Sequence, residues 1–491
     1  MSIPDDDFMD TIKYANPNQT NLTKEEKELQ QLQLEKQQQL SKINQQFLTD
    51  LFQDNATQPI KIRNVQFVNG QAFRTSFLES QLKPLLSGNI ITLQNYLKSV
   101  DTINKNLLKI GIVENISCNT HEIKPSFYRA KTMQLIPQFI SIPVKKFFAK
   151  TGTNIGNGEG DGYIQFQIRN LFDGGENLIF DAVTGTKTKS SYLINYNQPI
   201  MNNCNLISEN IFITNSRNLD WFQSTLTTRG FVNKIQYNES DSKFSHEFTL
   251  ENYWKILSNS NSKCFEILQC SGSNYKSSIG YNINYSTLDN VHLPTKGQLF
   301  QLGIEYNGLL PKFNKFPYIK TGATSTIAYK LPYFTNSSFL NNFKAGFLYP
   351  LKDKSHILDR YFIGGPNDIR AFSLNGIGPK DMNSYIGGDL FFNSGFSIIT
   401  NLPFEKYKDS SFKIHNFINF GKLTTYEKDE NIGTNLLKFA DYKGFCVSTG
   451  IGILFNHPMA RFELNFVLPL IVNERDSVRK GFQYGIGVSF L

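Results

Sequence analysis

The chain has 491 residues, a formal net charge of +8 and a strongly aromatic composition, with 42 Phe and 22 Tyr against 2 Trp. No stretch approaches the ~18 consecutive apolar residues of a membrane-spanning helix, which excludes a bundle of such helices. The positive charge is spread along the chain without a basic block, so no nucleic-acid partner is expected.

The N-terminal segment, residues 1–55, is predicted to be polar, disordered at first and then helical. The opening MSIPDDDFMD is acidic and lacks the basic and apolar regions of a signal or transit peptide, so we expect synthesis in the eukaryotic cytosol. Thr23 and Glu26 fit a capping box before a run rich in Gln, Lys and Glu. Apolar residues of this run share one face, and two interpretations stay open: a helix that docks a partner, or a solvated tail with weak helicity.

Residues 56–140 are predicted to form a small α+β domain. IKIRNVQFVNG, from Ile60, has the pattern of a strand that ends in an Asn-Gly turn. Two helical segments follow at about 73–86 and 92–111, and two strands at about 112–123 and 131–140. This β-α-α-β-β order resembles a POTRA (polypeptide-transport-associated) domain, although many small α/β domains share it.

Residues 141–491 are predicted to form a transmembrane β-barrel of antiparallel strands. The segments YIQFQIR, FQLGIEY and RFELNFVL alternate large apolar residues with polar ones at period two. A soluble β-sandwich also alternates, but its strands carry smaller apolar residues than these Phe-rich rows. Arg461 and Glu463 share the polar face of the last segment, which fits a polar lumen with internal ion pairs.

Catalytic and metal sites are not expected. The 5 cysteines are scattered without a CxxC pair, and the 6 histidines stand apart. The sequence has no HExxH or GxSxG motif, and Gly364-Gly365 lacks the Lys-Ser/Thr of a phosphate-binding loop. We therefore predict a protein that is not an enzyme and uses no cofactor.

A resemblance to a known family is carried by TGTNIG, PTKGQLF, GGPNDIRAF, IGGDLFF, HPMARFELNF and KGFQYGIGVSFL. Together these motifs resemble the barrel subunits of the mitochondrial sorting and assembly machinery (SAM), in the superfamily that includes the bacterial outer-membrane assembly barrel BamA. The resemblance covers about 60 to 491. It implies a barrel of about 16 strands in the mitochondrial outer membrane, with one POTRA domain in the intermembrane space.

The resemblance also implies a function. The protein is expected to insert β-barrel precursors, such as porin-like proteins, into the outer membrane. Its implied partners are peripheral receptor subunits of the SAM complex, these precursors and outer-membrane lipid. One alternative is a barrel of the same superfamily that transports polypeptides, as in the chloroplast envelope or in two-partner secretion. A simple voltage-dependent pore is a further alternative, which the POTRA-like domain and the inward loop described next disfavour.

The loop at about 360–385 is the first candidate site. In the family, an inward-folded loop carries an (I/V)-R-G-F motif, which Ile369, Arg370 and Phe372 match. Ala371 replaces the motif glycine, and alanine costs about 1 kcal/mol if the backbone φ is positive at this position. The resemblance implies that the arginine anchors the loop to the wall of the lumen.

The partner of Arg370 is left open by the resemblance. In bacterial relatives the arginine pairs with carboxylates, at positions that match Ser397 and Asn419 in this chain. Neutral hydrogen bonds to these two residues are one alternative, and an ion pair with Asp389 or Glu463 is the other. Several acceptors are expected because an unpaired arginine in a narrow lumen is costly.

The seam between the first and last strands is the second candidate site. The C-terminus fits the β-signal of mitochondrial barrel precursors, polar-x-Gly-x-x-hydrophobic-x-hydrophobic, at Gln483, Gly485, Val488 and Phe490. Inward glycines and a small outer row of Ala and Thr predict a weak strand pair, which would open sideways so that the first strand pairs with an incoming β-signal. The predicted gate residues are Thr151, Gly152, Thr153, Gly156, Gln483, Gly485 and Gly487.

Overall fold

The chain folds into two compact units. The computed structural model describes residues 24–123, 132–156, 159–239, 242–258, 261–332, 337–352, 354–382, 384–403, 410–441, 443–456 and 461–487. The first unit comprises Met1–Lys146, Arg169–Glu176 and Pro199–Cys204. The second unit comprises Phe147–Ile168, Asn177–Gln198 and Asn205–Leu491.

The helices of the first unit are α1 (Lys24–Asp54), α2 (Thr75–Leu86) and α3 (Leu93–Ile110). Helix α3 begins after Thr92, whose side chain accepts a hydrogen bond from the backbone N of Asn95 at 3.3 Å. It ends at Gly111, whose φ of 73° is accessible to glycine without strain. None of the described helices combines the length and the apolar character that crossing a membrane requires.

The sheet of the first unit is built around its last strand. Its strands are β1 (Pro59–Ile62), β2 (Gln66–Val68), β3 (Ile90–Thr92), β4 (Val113–Glu122) and β5 (Met133–Pro143). Both β1 and β2 lie parallel to β5, β4 pairs with β5 antiparallel, and β3 extends the sheet beside β1. The strand predicted from Ile60 is thus divided in two, and β3 was not predicted. Phe77 of α2, Leu107 of α3 and Phe139 of β5 are fully buried in the core.

The second unit contains a sheet of sixteen antiparallel strands in the described part of the chain, which confirms the predicted fold class. Its strands are β6 (Phe147–Gly156), β7 (Glu159–Arg169), β8 (Asn177–Gly185), β9 (Thr188–Pro199), β10 (Leu206–Leu219), β11 (Ser224–Asn238), β12 (Phe244–Ser258), β13 (Gly272–Ser286), β14 (Gly297–Asn307), β15 (Tyr318–Lys330), β16 (Ser337–Pro350), β19 (Leu390–Asn401), β20 (Phe412–Thr424), β21 (Cys446–Asn456), β22 (Arg461–Ile471) and β23 (Gly481–Gly487). A small hairpin, β17 (Lys380–Asp381) and β18 (Ser384–Tyr385), and the helices α4 (Phe265–Gln269) and α5 (Ile432–Ala440) lie in the connections.

The two faces of the large sheet alternate along each strand, as β22 illustrates. Phe462 and Leu464 are exposed, whereas Arg461, Glu463 and Asn465 are buried. The outward row is apolar because it meets lipid, and the inward row is polar because it faces the lumen. The predicted period-two alternation therefore assigns the faces of this strand correctly.

The connection between β16 and β19, residues 351–389, is here called the lumen loop because it packs on the inward face of the sheet. Ile369 of the loop shares one buried cluster with Leu423 of β20 and Cys446 of β21. Gly421 permits this close approach, since a Cβ at that position would lie 2.5 Å from Cδ1 of Ile369. The side chain after Ile369 is thereby brought to the wall of the lumen.

Candidate functional site

Arg370 of the lumen loop is fully buried and faces β20 and β22. Its Nη1 donates a hydrogen bond to Oδ1 of Asn419 at 3.1 Å. Its Nε and Nη2 donate to Oε2 of Glu463 at 3.2 and 2.8 Å. The guanidinium also lies 4.5 Å from the ring centroid of Phe417, at cation–π distance. Among the described contacts, a carboxylate, an amide oxygen and an aromatic ring therefore stabilise the guanidinium charge.

Glu463 is shared between two arginines. Besides Arg370, it binds Nη2 of Arg461, which lies 2.5 Å from its Oε1. Asn465 donates a further hydrogen bond to Oε2 at 2.7 Å. Arg461, Glu463 and Asn465 project into the lumen together because they are alternate residues of β22. The carboxylate thus holds the loop arginine and a wall arginine in one buried cluster.

Asp389 does not contact Arg370, so that predicted alternative is wrong. Asp389 precedes the first residue of β19, near the rim of the sheet. Its carboxylate accepts hydrogen bonds from Oγ of Ser355 at 2.6 Å and from the backbone N of Tyr426 at 3.1 Å. Its charge faces Arg360, whose Nε lies 3.9 Å away. This carboxylate braces the base of the lumen loop instead of the motif arginine.

Ser397 is likewise not a partner of Arg370, and its hydroxyl bonds to the ring of His415 at 2.9 Å. The strand register explains the difference. Ser397 lies opposite Phe417, whose ring is occupied by the guanidinium. Asn419, the acceptor, lies opposite Gly395, which has no side chain to compete for it.

Ala371 occupies a backbone conformation that favours glycine, with φ of 69° and no exposed surface. Its backbone N donates to Oε1 of Gln483 in β23 at 3.1 Å. Nε2 of Gln483 donates in turn to the backbone O of Arg479 at 2.9 Å, and the N of Arg479 donates to the O of Ala371 at 2.8 Å. The polar position of the predicted β-signal is therefore bonded to the lumen loop.

The lumen loop also pairs with the turn between β22 and β23, a contact that the sequence did not predict. The N of Ser373 donates to the O of Ser477 at 2.9 Å, and the N of Ser477 donates to the O of Gly376 at 2.8 Å. Phe372 and Val478 form an isolated antiparallel bridge. These bonds join segments about a hundred residues apart, and no local pattern in the sequence marks such a pairing.

A second anchor, also missed from the sequence, lies at the start of the lumen loop. Oδ1 of Asp359 accepts from Nζ of Lys255 in β12 at 2.6 Å and from the hydroxyl of Tyr318 in β15 at 3.1 Å. Nζ of Lys320 donates to the backbone O of Asp359 at 2.7 Å. Although burial acts to raise it, the neighbouring lysines, Lys255 first, hold the pKa of the Asp359 carboxyl well below its usual value. In this anchor the lumen loop contributes the carboxylate, and the strands of the barrel wall contribute the lysines.

The residues after Asp359 extend this anchor. Nη1 of Arg360 donates to Oε2 of Glu266 in α4 at 2.9 Å. The hydroxyl of Tyr361 donates to the backbone O of Thr321 in β15 at 2.7 Å. Gly346 makes room for this ring, because a Cβ at that position would lie 2.6 Å from its Cζ. Such contacts between a loop and inward glycines are invisible before the strand register is known.

The predicted gate residues lie in the first and last strands of the large sheet. Thr151, Gly152, Thr153 and Gly156 belong to β6, and Gln483, Gly485 and Gly487 to β23. Thr151 is exposed, while Gln483 is buried between two exposed neighbours, Phe482 and Tyr484. Val488 and Phe490 of the predicted β-signal lie outside the described residues.

Comparison with known families decides which family the chain represents. The Omp85 superfamily domain matches residues 170–490. The chain belongs to the Omp85 superfamily. Among curated proteins, the sorting assembly machinery 50 kDa subunit of Saccharomyces cerevisiae is 30% identical over 482 residues, which cover 90% of this chain and 96% of that protein. The human sorting and assembly machinery component 50 homolog is 28% identical over 354 residues, 71% of this chain and 74% of that protein.

Solved structures show the same Omp85 fold at low sequence identity. BamA from Haemophilus ducreyi lacking POTRA domains 1–3 superposes with a TM-score of 0.69 at 16% identity, covering 87% of this chain and 84% of that chain. CdiB from Acinetobacter baumannii gives a TM-score of 0.52 at 13% identity, covering 87% and 73%. The sixteen-stranded sheet is therefore the barrel of an Omp85 protein.

The relatives from the sorting and assembly machinery indicate the cellular location and the role of this barrel. The relatives from Saccharomyces cerevisiae and Schizosaccharomyces pombe each match 90% of this chain. As a barrel of the sorting and assembly machinery branch, the protein resides in the mitochondrial outer membrane and has a role in the assembly of β-barrel proteins.

Proposed function

We propose that the protein inserts β-barrel precursors sideways into the mitochondrial outer membrane through a gate between β6 and β23. The observation that carries the proposal is the order of the large sheet: within the described residues, its hydrogen-bonded path has β6 and β23 as its two ends. An edge strand presents unpaired backbone N–H and C=O groups, which lipid cannot bind. Pairing with the strand of a precursor is therefore a favourable way to satisfy this edge.

The outward row of β6 supports a gate at this position. After Phe147, the exposed residues on its outer face are Ala149, Thr151 and Thr153, where other strands carry large apolar residues. Small and polar side chains gain little from contact with acyl chains, since the hydrophobic stabilisation grows with the apolar area buried. Separating β6 from its neighbour across the seam consequently costs less than separating two Phe-rich strands.

The β-signal supplies the recognition step of the proposal. We infer that the edge of β6 pairs with a precursor strand carrying the polar-x-Gly pattern that Gln483 and Gly485 represent in this chain. Main-chain hydrogen bonds would provide the affinity, and the glycine would leave room beside the inward glycines of β6. Strand pairing and burial drive this process, so the proposal includes no catalytic group and no cofactor.

The lumen loop favours sideways insertion over transport of polypeptides through the lumen. It is bound to β12 and β15 through Asp359 and to β20 and β22 through Arg370. A polypeptide that passed through the lumen would have to displace these buried ion pairs, and breaking one such pair costs roughly 3–5 kcal/mol. Sideways insertion leaves both anchors in place.

The partners follow from the same proposal. The yeast relative is named as a subunit of the sorting assembly machinery. We infer that this chain also works with other subunits, including peripheral receptor subunits of the SAM complex, and with porin-like precursors as substrates. Outer-membrane lipid surrounds the outward apolar rows, and the first unit, as a POTRA domain, would lie in the intermembrane space.

Cross-linking of the seam tests the proposal. In a background without native cysteines, single cysteines would replace Thr151 in β6 and Tyr484 in β23, both of which are exposed. A flexible bismaleimide would join them in isolated mitochondria, and the assembly of imported porin-like precursors would be followed by native electrophoresis. We expect precursors to stall before insertion, because the edge of β6 can no longer be offered.

The matched control joins two strands that need not separate. Phe466 of β22 lies opposite Phe482 of β23, so cysteines at these positions can be cross-linked with the same reagent. Precursor assembly is expected to continue in this control. Normal assembly with the seam fully cross-linked would contradict the gate.

A further inference from the structure

Lys422 of β20 occupies a position that the alternation of the barrel assigns to lipid. Its strand neighbours Asn419 and Leu423 face inward, whereas Ile418 and Phe420 belong to the outward row. The ring of Phe420 packs on the outward ring of Phe396 at 5.7 Å. Lys422 continues this outward row by period two, and yet it is only 3% exposed. Another part of the chain must therefore cover it.

The cover is the C-terminal end of α5, in the connection between β20 and β21. Nζ of Lys422 donates hydrogen bonds to the backbone O of Lys438 at 3.2 Å and of Asp441 at 2.9 Å. The rings of Phe439 and Phe445 lie 5.7 and 5.3 Å from this Nζ. A lysine is a good partner for the free carbonyls at a helix C-terminus, because these carry a partial negative charge. Helix α5 thus lies against the outer face of the barrel.

Further contacts hold the connection in this place. The side chain of Asn435 in α5 accepts from the N of Glu427 at 3.0 Å and donates to its O at 2.8 Å. The ring of Tyr426 packs on two outward aromatic residues of β16, Phe347 at 5.6 Å and Tyr349 at 5.7 Å. The connection therefore rests on the outer rim at two places, and α5 keeps a defined orientation.

The remaining face of α5 is apolar and uncovered within the described chain. Ile432, Leu436 and Leu437 are 49%, 50% and 75% exposed. Gly433 and Ala440 fall in the same sector of the helix at 100° per residue, so the sector contains no polar side chain. The charged Lys438 points elsewhere and binds Glu427 at 3.0 Å.

We propose that α5 is an interfacial membrane helix, whose face of Ile432, Leu436 and Leu437 lies among the headgroups and upper acyl chains beside β20. The lipid surface is the occupant because this face continues the outward row that already meets lipid, through Lys422 and Phe420. Amphipathic helices at this depth gain stability from the apolar area they bury, and aromatic residues such as Tyr349 and Tyr426 prefer the same level. The helix would anchor the rim of the barrel on the side of β19 to β21, independently of the gate.

Lipid contact can be measured on the full chain reconstituted in vesicles. Leu437→Cys, in a background with the native cysteines replaced by alanine, would carry an environment-sensitive fluorophore. The vesicles would contain phosphatidylcholine and phosphatidylethanolamine, with or without brominated acyl chains. We expect brominated lipid to quench this fluorophore several-fold more strongly than aqueous iodide does. Phe466→Cys, on a lipid-facing strand, is the positive control, and Thr434→Cys, on the opposite face of α5, is the aqueous control.

The outcomes separate the proposal from its alternatives. Quenching of the Leu437 label by iodide and not by brominated lipid would overturn it, because the helix would then lie in water. Shielding from both quenchers that appears only in intact mitochondria would also overturn it, in favour of a protein partner on this face. A folded barrel is verified in each variant by its heat-dependent electrophoretic shift, so a labelling failure cannot be mistaken for either result.

Discussion

The carboxylate of Glu463 binds two buried arginines, so one negative charge faces two positive charges. Substitution of Glu463 is therefore expected to destabilise the barrel more than substitution of Arg370. Arg370 and Arg461 both bind its carboxylate, at 2.8 and 2.5 Å. Loss of Arg370 leaves Glu463 paired with Arg461. Loss of Glu463 removes the carboxylate that both buried guanidinium groups bind, and taking away the counter-charge of a buried cation is strongly destabilising.

We predict that Glu463→Gln destabilises the barrel by roughly 3–5 kcal/mol. Arg370→Met, which keeps an apolar stem on Phe417, is expected to cost about 1.5–3 kcal/mol, the usual value of a charge-assisted hydrogen bond. The measurement is the temperature at which the folded band disappears in semi-native electrophoresis. Glu474→Gln, in an exposed turn, is the control and should not change this temperature. A smaller loss for Glu463→Gln than for Arg370→Met would refute the shared-carboxylate account.

Ala371 gives a prediction of the opposite sign. Because its φ is 69°, Ala371→Gly should relieve strain and raise the free energy of unfolding by up to about 1 kcal/mol. Ala371→Val should lower it by more than that, since a β-branched residue tolerates this conformation worst. Ala328→Gly in β15 is the matched control: this alanine is also buried, but it lies in a regular strand, where glycine should destabilise. Equal losses at both alanines would show that φ at position 371 is not strained.

At the scale of elements, the lumen loop is fixed to opposite walls by anchors of opposite polarity. Arg370 brings a cation to an acidic wall, and Asp359 brings a carboxylate to a basic one. The two anchors are separated by ten residues of loop, so each restrains a different part. Loss of one should therefore release only the segment beside it.

We predict that Asp359→Asn and Lys255→Met each loosen the start of the lumen loop while Arg370→Met does not. Cys264 is the natural reporter, because it is fully buried in one cluster with Ile357 of the loop. Its labelling by a small maleimide in folded protein should increase at least several-fold in the first two variants. Lys234→Met, which removes a lumen lysine from β11, is the control. Unchanged Cys264 labelling in Asp359→Asn would show that this anchor does not restrain the loop.

Features of these elements that depend on neighbouring residues could be predicted from the sequence, whereas contacts between distant segments could not. Alternation in RFELNFVL placed Arg461 and Glu463 on the inward face, which the structure confirms. Asn419 and Glu463 were among four proposed acceptors, but choosing between them required the depth at which the loop sits. The Asp359 anchor and the pairing of Ser373 with Ser477 join segments that are far apart in the chain. No rule based on residue spacing predicts such contacts.

At the scale of the whole molecule, the antiparallel barrel and the α+β character of the first unit followed from periodicity, because burial on one face imposes the period in both cases. The count of about sixteen strands came from the family resemblance. The division of the first strand at 63–65 was not predicted, since each half looks like an ordinary strand. Helix α5 was also missed. Its place on the outer rim depends on the hydrogen bonds from Lys422, which lies 16 and 19 positions before the two carbonyl groups that accept them.

The bond between Ala371 and Gln483 spans 112 positions of the chain and has a consequence for the order of assembly. Every partner of the loop segment 370–378 named above lies C-terminal to it, in β20, β22, the following turn and β23. This segment cannot complete its hydrogen bonds until β23 is in register, because the amide oxygen that accepts from Ala371 belongs to that strand. The Asp359 anchor at the start of the loop needs only β12 and β15, so the loop is fixed in two stages, and the bond to Gln483 marks the completion of the sheet.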